Sequence, residues 1–147
     1  MPNFGRSVTS TALGDWYSIG ILVGLGAAIG VAATGALRRP LASVVVAVGC
    51  AVVLGFAFGQ ADEAAGGAVG GLFGAIGSAP LVAGTLRRGG TRGGTATLLA
   101  LAALAGAGLA FVPALGYLEA LAVPALGLRL RRRSPDRHAG LRSLARD

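Results

Sequence analysis

The sequence predicts an all-α protein, a polytopic transmembrane helix bundle of five spans. Three observations point to it. Apolar residues make up 54% of the 147 positions, with a mean hydropathy of +0.71. The charges between Trp16 and Leu130 fall in a few short clusters, and the uncharged runs between them reach or exceed the ~20 residues needed to cross a ~30 Å hydrocarbon core. The arginines recur after the first, third and fifth of these runs, so that an odd number of crossings gathers them on one side.

Residues 1–15 read as a short polar N-terminal segment, ahead of a transmembrane domain over residues 16–130. The first apolar run is long and ends in Arg38-Arg39, a stop-transfer pattern and not a cleavable leader, which makes it a retained span. That span covers about 16–37, with Trp16 and Tyr17 at its start, where amphipathic rings favour the headgroup layer. Span two covers about 41–59 and is opened by Pro40, which fits a first helical turn because no backbone donor is lost there.

Span three, about 64–86, is uncharged but dominated by Gly and Ala. A re-entrant segment is the alternative for it, and Pro80 is expected to interrupt its ladder of hydrogen bonds. The stretch 95–128 would be ~51 Å long as one helix, far beyond the core thickness. Val112-Pro113 lies at its middle, so it divides into spans of about 95–111 and 114–130, folded as a tight hairpin. A basic tail, 131–147, follows. Ser134-Pro135-Asp136 offers it a helix start, placing Leu141 and Leu144 on one face.

Arginine positions test the division independently. Arg38 and Arg39 follow span one, and Arg87, Arg88 and Arg92 follow span three. Arg129, Arg131, Arg132, Arg133, Arg137, Arg142 and Arg146 follow span five. Five spans put all of these on one side, with the N-terminus outside and the C-terminus in the cytoplasm, whereas four spans would send the tail outward. A faint repeat fits the same layout. Gly24-Leu25-Gly26-Ala27-Ala28-Ile29-Gly30 resembles Gly71-Leu72-Phe73-Gly74-Ala75-Ile76-Gly77, which suggests a duplicated hairpin.

The net charge is +7. Because the basic residues flank apolar runs, the expected partner is a bilayer with anionic headgroups, met by Arg38, Arg39, Arg87, Arg88, Arg131, Arg132 and Arg133. Nucleic acid is not expected, since aromatic stacking platforms are missing. Small residues at helical spacing, Gly20 with Gly24, Gly26 with Gly30, and Gly66, Gly70, Gly74 and Gly77, predict close helix packing. They serve either the chain's own interior or an interface with a second copy or another membrane protein.

Three acidic residues are candidates for an ion or a proton. Glu119 lies within span five, where a carboxyl is costly and often functional. The plainer alternative is that it reaches water or accepts a hydrogen bond from Tyr117. Asp62 and Glu63 open span three, where negative charge suits a helix N-terminus; an outer cation-attracting vestibule is the other reading. One Cys and one His provide neither a nucleophile with its base nor a metal set, so no catalytic residue, metal or cofactor is expected. The sequence therefore predicts a multi-pass protein of a bacterial inner membrane, not an enzyme. It would be a scaffold or accessory subunit, or alternatively an oligomeric transporter or channel component with Glu119 as its intramembrane acid.

Overall fold

The computed structural model describes residues 4–132, with side-chain surroundings from residue 14 onward and Pro113 excepted. Five helices follow one another: α1 (Phe4–Ala36), α2 (Pro40–Phe58), α3 (Ala61–Arg87), α4 (Arg92–Leu109) and α5 (Pro113–Arg132). Among the described residues there is no strand. Arg133 and the rest of the basic tail lie outside the described residues.

Most boundaries fall within a few residues of the sequence reading. The start of α1 is the exception, since helix begins at Phe4 and not at Trp16. No proline interrupts that stretch, and Ser and Thr do not stop a helix that has already formed. At 33 residues α1 is ~50 Å long. Its apolar part is Gly14–Ala36.

Four helices are long and apolar enough to cross a membrane: Gly14–Ala36, Pro40–Phe58, Ala61–Arg87 and Arg92–Leu109. α5 has 20 residues but is less apolar, because Glu119 and the terminal arginines dilute its leucines and alanines. The third helix is continuous over 27 residues with Pro80 inside it, where the re-entrant alternative requires a break.

α2 opens on Pro40 after an extended Arg39. Gly89, at φ 83°, makes the turn out of α3, a backbone conformation that glycine adopts without strain. Thr91 then caps α4, its hydroxyl accepting from the Gly94 N–H at 3.2 Å.

α1 occupies the centre and packs against each of the other four helices. It runs parallel to α3, with Ser18 beside Glu63 at one end and Thr34 beside Ser78 toward the other. α2 leans mainly on α3, α4 on α1, and α5 lies in the groove between α1 and α3. The turn joining α4 to α5 falls where the sequence placed it, yet the two helices touch each other little.

The radial distribution of side chains is inverted relative to a water-soluble domain. The largest fully enclosed side chains are those of Ser43 and Ser78. Leu41, Phe56, Phe58, Leu98, Leu104 and Phe111 all stand exposed on the outside. Water would penalise such a surface. Lipid does not, and there helices are held by close van der Waals contact between small residues instead.

Candidate functional site

Four features of the bundle bear on function: the glycine seams, the acidic end, the basic end and Glu119. Along the α1–α3 seam the backbones nearly touch. A Cβ added at Gly70 would land on the carbonyl oxygen of Val23, and one at Gly74 on that of Ala27. Gly26 and Gly30 face the α3 backbone at Gly67, Gly71 and Gly74. Gly66 is looser, meeting the Ile19 and Val23 side chains.

The remaining predicted glycines serve other neighbours. Gly20 and Gly24 face Gly116 of α5, and Gly77 faces Val123 and Pro124. Gly67 and Gly71 add a second small face on α3, turned to Ala51 and Ala47 of α2. The two segments of the faint repeat thus run side by side and pack on each other. The two-fold relation is partial, since the α1–α2 contact has only a slight counterpart between α3 and α4.

Two stripes escaped the sequence reading. Ser43, Ala47, Ala51 and Gly55 are buried along α2. On α5, Gly116 meets Gly20, Ala120 is buried, Pro124 meets Gly77, and Gly127 meets the Gly77 carbonyl. Both stripes step by three or four residues, the spacing of the predicted glycine face, but alanine, serine and proline take some of the places.

The seam also carries hydroxyls. Thr34 and Ser78 are hydrogen-bonded to each other across it. Each hydroxyl also lies beside a carbonyl of its own helix, Thr34 by Val31 at 2.8 Å and Ser78 by Gly74 at 2.7 Å, so one of the two protons crosses the seam and the other goes to its own helix. These buried polar atoms are therefore satisfied, as a low-dielectric interior demands.

At the acidic end, Glu63 accepts from the Gln60 backbone N–H at 2.8 Å and from Ser18 Oγ at 2.9 Å. Both carboxylate oxygens are thereby occupied, and the side chain ties the start of α3 to α1. Asp62 is exposed in the same first turn. Nearby, Trp16 and Tyr117 stack with ring centroids 5.6 Å apart. Tyr117 donates to the Trp16 carbonyl at 3.2 Å, and Tyr17 to that of Phe111 at 3.4 Å.

Glu119 differs from Glu63. Its side chain lies against Gly106 of α4. Its Oε2 is buried with no hydrogen-bond partner. The Tyr117 hydroxyl, one candidate partner in the sequence reading, is directed to Trp16 instead, because stacking on the indole holds that ring toward α1.

The basic end brings together residues distant in sequence. Because α1, α3 and α5 run parallel, Arg38 and Arg39, Arg87 and Arg88, and Arg129, Arg131 and Arg132 share one end with Arg92. A cleft of about 540 Å³ opens there between the start of α2 and the last turns of α3 and α5. Pro40, Pro80, Gly84, Arg87, Arg88 and Arg131 are among the residues that line it. Cys50 sits exposed on the outside of α2.

The geometry defines a class: a glycine-seamed helical bundle whose helices fit an integral membrane protein. No protein-family model, curated protein or solved structure matches the chain.

Proposed function

We propose that the chain is a small non-catalytic integral membrane protein, a scaffold or accessory subunit. In this reading it crosses a bacterial inner membrane five times, N-terminus outside and basic end in the cytoplasm. One observation carries it: the α1–α3 seam is closed by backbone-to-backbone contact, with no fully enclosed side chain larger than serine among the described residues, while large apolar side chains cover the exterior. Such a bundle is rigid and presents its outer faces to lipid, to a second copy or to another membrane protein. α5 supports the fifth crossing, since it lies parallel to α1 and α3 in the groove between them and ends beside their basic ends. The grouped arginines support the orientation.

A second reading is favoured by the unpartnered Glu119 Oε2. An oligomer of these bundles could carry a proton or small cation along the α4–α5 junction, with Glu119 as the acid. One experiment separates the two. Purified protein is placed in liposomes holding a pH-sensitive dye, under a proton or potassium gradient. The scaffold reading expects the leak of protein-free vesicles. A flux present in the wild type and lost in Glu119→Gln overturns it in favour of transport. A reporter fused after residue 147 is expected to be active only in the cytoplasm, and activity confined to the outside overturns the five-span orientation.

A further inference from the structure

We propose that the cleft at the basic end is a binding site for one anionic phospholipid. Its phosphate would lie on Arg87, Arg88 and Arg131, and the upper acyl chain along Leu81 and Leu130. The proposal rests on reading the helices as membrane spans, and it deepens a general attraction to anionic headgroups into a defined site.

The cleft has a structural origin. α3 and α5 approach closely where Gly127 meets the Gly77 carbonyl. Past that seam, Pro80 and Gly84 on α3 and Leu130 and Arg131 on α5 line a gap that no side chain among the described residues fills. Its volume of about 540 Å³ falls within the ~300–1,000 Å³ of ligand pockets. It suits a headgroup with the first part of its chains, leaving the rest along the outer surface of the bundle.

Charge selects the ligand. Three arginines line the cleft, and the Arg87 Nε donates back to the Ala83 carbonyl at 3.2 Å, which steadies that side chain at the rim. The described carboxylates lie elsewhere, Asp15, Asp62 and Glu63 at the opposite end and Glu119 against Gly106. The C-terminal ends of α3 and α5 each bring about half a negative charge. Three full positive charges outweigh them. The start of α2 works in the same direction: Pro40 lines the cleft and that helix has no side-chain cap, so its first N–H groups are open to an acceptor. Basic pockets between spans at the cytoplasmic face are a recurrent place for anionic lipid.

The test is native mass spectrometry of the full chain released from nanodiscs of equimolar phosphatidylglycerol and phosphatidylcholine. One retained phosphatidylglycerol is expected. Replacing Arg87, Arg88 and Arg131 by Gln is expected to weaken retention roughly fivefold per arginine. Gly84→Leu probes shape with every charge kept. A side chain there starts in open space, so the fold is retained while the cleft is filled and the lipid is lost. Arg92→Gln, at the same end but outside the cleft lining, is expected to change nothing.

Equal losses in Arg92→Gln and in the cleft variants, or full retention in Gly84→Leu, would mean diffuse surface attraction and overturn the site. Displacement of the lipid by millimolar inorganic phosphate would assign the arginines to a free anion and overturn the lipid. Gly84→Leu carries the test alone if the arginine variant does not fold. Alkaline carbonate extraction separates the two levels. A wild-type chain released from membranes defeats the membrane reading itself, whereas an integral chain without lipid preference defeats only the cleft.

Discussion

The α1–α3 seam and the α4–α5 junction show opposite ways for helices to meet. α1 and α3 are separated in sequence by the whole of α2, yet they share the most intimate contact in the bundle, glycine backbone on glycine backbone. α4 and α5 are joined by a short turn, yet they barely pack on each other. Neighbourhood in sequence does not decide packing here. Register of small residues does. Where both helices present a small residue every three or four positions, the backbones close and every buried polar atom finds a partner. Where leucines and an acid intervene, the helices stay apart and one carboxylate oxygen is left without a donor.

The largest effect is expected on the seam. Gly74→Leu would drive a side chain into the Ala27 carbonyl, backbone that cannot step aside, at a cost of about 3 kcal/mol or more. Thermal unfolding in detergent, followed by circular dichroism and size exclusion, is expected to show little folded protein. A variant that melts near the wild-type temperature would mean that the seam is not the element holding the bundle together.

The opposite sign is expected at the junction. Replacing Glu119 by Leu removes a buried oxygen that has no donor and is expected to stabilise the bundle by about 1–2 kcal/mol. A fall in melting temperature would reveal a partner for the carboxylate and would erase the contrast between the two regions. Between these cases lies Thr34→Val. It removes one of the hydroxyls bridging the seam, but Ser78 still donates to Gly74, so the expected loss is only about 1 kcal/mol.

How much of this could be read from the sequence follows from what each signal depends on. Helix number and most boundaries were legible because the length of the uncharged runs and the position of proline mark them, as at Val112-Pro113. The glycines of α3 were legible as a packing face, but their partners were not. Nothing in the spacing of Gly66, Gly70, Gly74 and Gly77 says that the first three meet α1 while the last meets α5. The stripe of Ser43, Ala47, Ala51 and Gly55 was hidden because only one of its members is glycine. Glu119 stood out as a charge in an apolar run. Its isolation depends on where Tyr117 turns, and that is decided by stacking on Trp16, a residue 101 positions away. The basic cleft was half visible. The arginines could be counted onto one side, but the gap that gathers three of them needs the Gly77–Gly127 contact.

The smallest effect, at Gly49, sharpens the comparison most. Gly49 and Gly55 lie on the same helix, six positions apart, and helix propensity alone would treat them alike. A Cβ at Gly55 would strike the backbone of Ala64, whereas one at Gly49 meets nothing within 4 Å. Gly55→Ala is therefore expected to destabilise by about 1–3 kcal/mol, and Gly49→Ala to stay within about 0.5 kcal/mol. Gly49→Leu extends the test outward. If that face of α2 meets only lipid, leucine is as welcome there as glycine, and the melting temperature and the mass of the detergent-solubilised particle should both hold. If instead the particle becomes smaller while the single chain stays folded, the small residue was admitting a second chain, and the scaffold reading would have its first docking surface.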